Sequence, residues 1–207
     1  MQKLQAEIDN AADTGKISKP ISDKEARTLP YLNAVIKEAM RLHSSVGLLL
    51  ERHVPAGGAT ICGRFIPGGT IVGINPWVLQ HDPTVYPAPH AFNPERWLEA
   101  TPEHLAAMER SFFAFGAGKR VCIGKNISYI EMRKIIPELV RGFDISLPEG
   151  VEWEVKNMWF TQQSMPKCLL KRRSREQYRT AFVTGIGRDL SMMYNPVRLL
   201  AVDRVSH

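Results

Sequence analysis

The chain has 207 residues, 44% of them apolar, and 27 Lys plus Arg against 21 Asp plus Glu give a formal charge of +6, the composition of one soluble globular domain. From Lys171 onward there are eight basic and three acidic residues, so the tail holds +5 and residues 1–170 only +1. A near-neutral body argues against a nucleic-acid-binding face, and the tail reads as a solvated run.

In chain order, Met1 to Asn10 is amphipathic and charged with no apolar core, so no signal peptide is visible. The first clear helix runs from about Pro30 to His43, because Leu32, Val35, Ile36 and Ala39 recur at helical spacing and proline is tolerated in a first turn. The longest apolar stretch, Val46 to Leu50, is far below the ~20 residues of a membrane span. Ala59–Ile66 and Thr70–Asn75 are runs rich in β-branched residues flanking Pro67-Gly68-Gly69, which predicts a β-hairpin turning there. From Pro76 to Pro102 prolines recur every few residues and forbid long helices, so this stretch reads as ordered coil.

A second helix is expected over Ile123 to Arg141, its apolar face made of Ile127, Ile130, Met132, Ile135, Ile136, Leu139 and Val140 and disturbed at Pro137. Glu152–Gln163 and Cys168–Lys171 read as late strands joined by a turn at Ser164–Lys167, and no structure is assigned after Arg173. The cysteines, Cys62, Cys122 and Cys168, are odd in number and dozens of residues apart, which fits a reduced, intracellular setting better than a disulfide framework.

The chemistry concentrates in Phe115-Gly116-Ala117-Gly118-Lys119-Arg120-Val121-Cys122-Ile123-Gly124. A thiol becomes a good metal ligand when its pKa is lowered, and a helix N-terminus with cations beside it does this. Gly116, Gly118 and Gly124 allow φ > 0 or close approach of backbone to a large flat ligand, and Arg120 is placed to meet an anionic group. A phosphate loop fails here, because Lys119 stands where the first glycine belongs and Asn126 replaces the hydroxyl residue. The dinucleotide fingerprint fails at Val121. Asn126-Ile127-Ser128 fits a glycosylation triplet but falls inside the expected helix.

With Phe115, Gly118, Arg120, Cys122 and Gly124 in the pattern Phe-x-x-Gly-x-Arg-x-Cys-x-Gly, the sequence resembles the cytochrome P-450 superfamily of haem-thiolate monooxygenases. Upstream, Glu38-Ala39-Met40-Arg41 resembles the family's Glu-x-x-Arg helix, and Asn93-Pro94-Glu95-Arg96-Trp97 the segment whose Arg joins that pair in a buried triad. From Leu29 to Pro166 the likeness is greatest to fungal microsomal members of the pisatin-demethylase kind. The resemblance implies an α+β, mainly helical fold: the C-terminal third of the family's domain over residues 1–171, followed by a divergent basic tail, 172–207.

It also implies haem b held by Cys122 as axial ligand, with Phe115, Gly118, Arg120, Gly124 and Arg52 around it, Arg52 and Arg120 facing propionates. Glu38, Arg41 and Arg96 would form the structural triad, although Glu38 and Arg41 fall opposite the apolar stripe and would by pattern alone be a solvated pair worth ~0.2–0.5 kcal/mol. Val46, Gly47, Leu48 and Leu49, and Phe160, Thr161 and Gln162 within Trp159–Gln163, stand where the family meets substrate. Ser44 replaces a proline common in relatives.

The implied partners are an NADPH-dependent reductase, docking on Lys119, Lys125, Arg133 and Lys134, and a small apolar substrate. Full-length relatives sit at the endoplasmic reticulum membrane. Their anchor and oxygen-side helix have no counterpart here, so Met1 is expected to begin a truncated product or an incomplete gene model, and the apolar faces around Leu32 and Ile130 to pack on elements preceding it. The alternative functions are a non-catalytic haem-binding or interaction fragment and, against the charge distribution, a nucleic-acid or membrane-surface binder.

Overall fold

The computed structural model describes residues 1–150, 154–156, 158–163 and 167–173. Helix α1 (Gln2–Asp13) buries Leu4, Ile8 and Ala11 at helical spacing, so the charged start of the chain is a core helix. The short α2 (Asp23–Ala26) begins with a capping box between Ser22 and Glu25. Helix α3 (Pro30–Leu42) starts on proline, as the sequence predicts, and His43 lies just outside its last turn.

Leu29, Leu32 and Ile36 join Leu4, Ile8, Ile17, Ile21 and Val140 in one apolar cluster. Leu32 therefore packs against elements of this chain, contrary to the expectation that its face needs elements preceding Met1. Ala34, on another side of α3, joins Tyr86, Trp97 and Met108 in a second cluster. With apolar clusters on two sides, α3 becomes the central beam of the fold.

Strands β1 (Leu50–His53), β2 (Ala59–Ile61), β3 (Arg64–Ile66) and β4 (Ile71–Ile74) pair differently from the predicted hairpin. The tight turn is at Cys62-Gly63, both at positive φ (48° and 76°), and it joins β2 to β3 within the run read as one strand. Two consecutive positive φ values suit the right-handed twist of a two-residue hairpin. Pro67–Gly69 instead leads into β4, which pairs antiparallel with β1, Arg52 opposite Val72.

The proline-rich stretch holds only the short α4 (Pro76–Gln80) and α5 (Arg96–Glu99). Helix α6 (Pro102–Ser111), capped by the Thr101 hydroxyl, was not legible as a helix because Met108 is its one buried residue. Helix α7 (Lys125–Gly142) keeps Pro137 inside it and packs on α1, α2 and α3. Its apolar residues divide: Met132, Ile136 and Val140 face the first cluster, whereas Ile127 and Ile135 are exposed.

The chain end also differs from expectation. Strand β5 (Phe143–Ser146) pairs with β8 (Leu169–Arg172), and the two-residue β6 (Val155–Lys156) pairs with β7 (Gln162–Gln163). The late strands thus do not form one hairpin with each other, and the expected turn lies mostly outside the described residues. Lys171 and Arg172 are in β8 and Arg173 pairs with Asp9 at 2.7 Å, so these three basic residues of the expected tail belong to the folded part. Among the described residues no helix is long and apolar enough to cross a membrane.

Candidate functional site

The site is built on the second face of α3, where Glu38 and Arg41 are both fully buried. A buried carboxylate is tolerable only when its lone pairs are filled. Glu38 accepts from Arg41 Nε and Nη2 (2.9 and 2.8 Å), Arg96 Nε (3.1 Å), the Asn93 N–H (3.0 Å) and Trp97 Nε1 (2.9 Å). Burial by itself pushes the Glu38 carboxyl up; the Arg41 and Trp97 bonds, the Asn93 N–H and the Arg41 charge outweigh it and hold the group below its ordinary range. The solvated-pair reading of Glu38 and Arg41 is therefore corrected. The coil from α4 to α5, which carries no periodic pattern, supplies the lid.

The arginines of this cluster also organise that coil. Arg41 donates to the carbonyls of Gln80, Pro89 and Ala91, and Arg96 to those of Pro87 and Ala88. Their guanidinium groups thereby replace the backbone ladder that the prolines deny to this segment. The consequence is a fixed path for the coil from Gln80 to Ala91.

In that loop Gly116 and Gly118 take φ of 68° and 66°, and a single 3-10 turn covers Gly118–Arg120. Gly124 has φ of −80°, so it does not need the positive-φ region, and a Cβ there would meet the Cys122 sulfur at 3.7 Å, an ordinary contact. The loop closes on itself where the Cys122 N–H donates to the Phe115 carbonyl at 2.9 Å. Cys122 is exposed and stands three residues before the first residue of α7.

Cys122 lines a cavity of about 360 Å³ together with Phe113, Phe115, Val46, Phe160, Arg52 and Arg120. Among the described residues the lining includes two guanidinium groups and no carboxylate. Such a donor set, one thiol, two cations and apolar walls, fits a flat apolar dianion such as haem. Arg52, which donates to its neighbour's carbonyl at Glu51, reaches the cavity from β1.

The remaining predicted residues divide. Val46 and Phe160 meet in an antiparallel bridge, and both line the thiol's cavity. Thr161 donates to the carbonyl of Ser44 and lines a second, larger cavity of about 1060 Å³. Gly47, Leu48, Leu49 and Gln162 line neither cavity, because Gly47 is buried against the Trp159 carbonyl and the two leucines point to solvent. Gly118 and Gly124 likewise shape the loop without lining the cavity.

A family model described as cytochrome P450 matches residues 1–170. The chain belongs to the cytochrome P450 family. It is 48% identical over 147 residues to a cytochrome P450 monooxygenase of Aspergillus terreus, covering 70% of this chain and 30% of the relative. It is 47% identical over 156 residues to a pisatin demethylase of Fusarium vanettenii, covering 74% and 30%. A cytochrome P450 monooxygenase of Emericella nidulans is 44% identical over 173 residues, covering 83% and 35%. The chain thus spans about a third of the length of the curated relatives it matches.

Within this P450 domain the structure adds residues that motif matching missed. Trp97, the last residue of the Arg96 motif, donates to Glu38 rather than only filling space. Gln80 is fully buried and polar in an otherwise apolar turn of helix, a pattern that signals a bonded group. One expected surface residue is removed from the docking set: Arg133 bonds Asn33 at 2.8 Å, pairs with Asp23 and lies over the Tyr129 ring. Lys119, Lys125 and Lys134 remain exposed.

Proposed function

We propose that this chain provides the thiolate side of a haem-thiolate monooxygenase, corresponding to the C-terminal third of the family's domain over residues 1–171. The observation that carries the reading is the cavity in which the Cys122 thiol, Arg52 and Arg120 converge with apolar side chains and, among the described residues, no carboxylate. Cys122 would hold the haem iron through its thiolate, and the two arginines would neutralise the propionates. Bound there, haem b supplies oxygen chemistry aided by a thiolate that pushes electron density towards iron, a general property of this ligation.

The chain's own residues do the rest. Phe115 and Phe113 line the cavity beside the sulfur, Val46 and Phe160 form an apolar wall suited to an apolar substrate, and the Glu38 cluster holds α3 and the coil in register. Electrons come from an NADPH-dependent reductase that docks on Lys119, Lys125 and Lys134. The full-length relatives' place at the endoplasmic reticulum membrane is carried over with that partner.

The test is the reduced carbon-monoxide difference spectrum of haem-reconstituted chain. Wild type is expected to give a thiolate-type Soret band and Cys122→Ala to lose it; an unchanged band in Cys122→Ala rejects the assignment. The second reading is a haem-binding chain without turnover. Product formation with a reductase decides between the two.

A further inference from the structure

Gln80 lies at the end of α4, outside every motif that marks the family in this sequence, yet it joins three elements around the thiol's cavity. Its side-chain amide donates to the Arg41 carbonyl at 3.0 Å and to the Ser44 hydroxyl at 2.8 Å, both at the exit of α3. Its side-chain oxygen accepts from the Phe113 N–H at 2.9 Å, at the entrance of the glycine loop. Its backbone carbonyl accepts from Arg41 Nη1 at 2.8 Å, so Gln80 and Arg41 hold each other in both directions. Ser44 and Phe113 both line the cavity that contains Cys122. A single buried amide therefore joins two neighbouring parts of the cavity's lining.

We propose that Gln80 is the positioning residue that fixes the Phe113–Cys122 loop against the Glu38–Arg41 helix and so sets where the Cys122 sulfur stands in the cavity. The reason is stiffness. The loop's three internal bonds, from Gly116 N–H to the Phe113 carbonyl, Val121 N–H to Gly118 and Cys122 N–H to Phe115, shape it around the positive-φ Gly116 and Gly118 but do not tie it to α3. Gln80 anchors the loop's first residue to α3, which is buried on two sides. An apolar side chain of the same length would leave the Phe113 N–H, the Arg41 carbonyl and the Ser44 hydroxyl without this partner. The inference rests on Cys122 as the axial ligand only for its spectroscopic readout.

The experiment uses the full chain. In the absence of haem, the Phe113 amide is expected to exchange hydrogen with the slow amides of α3; exchange at the rate of an open loop amide would overturn the proposal. In Gln80→Met, exchange at Phe113 should rise at least tenfold relative to the α3 amides, and alkylation of Cys122 should change rate by several-fold. After haem reconstitution the same variant should hold as much haem as wild type but show a several-fold smaller fraction of thiolate-type carbon-monoxide complex. Gln80→His, with one ring nitrogen to donate and one to accept, should restore that fraction. A folded Gln80→Met with unchanged Phe113 exchange and an unchanged thiolate fraction sinks the idea. If Gln80→Met does not fold, the wild-type exchange of Phe113 decides alone. A wild type without any thiolate band would reject the ligand assignment while leaving the exchange measurement to judge the joint.

Discussion

Glu38 concentrates the site's energetics in one side chain, since five N–H donors from Arg41, Asn93, Arg96 and Trp97 converge on its two oxygens. Removing one charged partner from a buried cluster leaves the others uncompensated, so Arg96→Ala is expected to lower unfolding stability by about 3–5 kcal/mol in urea melts. Trp97→Phe keeps the ring near Tyr86 and Phe112 but deletes the Nε1 donor, an expected loss of about 1.5–3 kcal/mol for a bond to a charged group. The sign of the pH effect follows from the lowered carboxyl. The cluster's contribution is fully present above the ordinary Glu value of 4.5 and is lost as pH falls through the lowered folded value. Trp97→Phe, with one fewer group lowering that value, should show a flatter loss of stability below pH 4.5 than wild type; an equal or steeper slope would contradict this account.

At the scale of elements, charge on the loop and α7 is the testable quantity. Reversing Lys119, Lys125 and Lys134 together should slow association with the reductase in a full-length setting by an order of magnitude at low salt, and salt should erase the difference over a Debye length of ~8–10 Å. Arg133→Glu should instead destabilise the fold, because its guanidinium is committed to Asn33 and Asp23. The elements themselves were unequally legible in the sequence. Helix α3 is marked by its stripe and by Pro30, and the loop by its fixed spacing. The β-hairpin was misplaced because Pro67-Gly68-Gly69 is a louder turn signal than Cys62-Gly63, where a non-glycine residue takes positive φ. Strand β1 escaped because Leu50-Glu51-Arg52-His53 has too few apolar residues to alternate, and α6 because Met108 alone anchors it. Burial of Glu38 and Arg41 was not readable from α3, since what covers them is coil without a period.

At the scale of the whole chain, the cavity and the outer face of α7 set the expected behaviour. Ile123, Ile127 and Ile135 are exposed together with Trp159 and Phe160, and apolar surface of this extent favours association. These 207 residues alone, given haem, a reductase and NADPH, are expected to consume cofactor without stoichiometric product, because a cavity open to water does not keep out side reactions. Hydroxylated or demethylated product matching the NADPH consumed would overturn that expectation. Arg41 and Arg96 have one more effect, on the coil of residues 80–91 that they tether. They take up carbonyl oxygens, at Gln80, Pro87, Ala88, Pro89 and Ala91, and two of those residues have no N–H at all. A protease that needs a slack, extended chain should therefore find this coil slow to cut until the Glu38 cluster opens. In a time course of limited digestion, cleavage between Asp82 and Ala91 should follow global unfolding, and cleavage ahead of it would contradict the tethering.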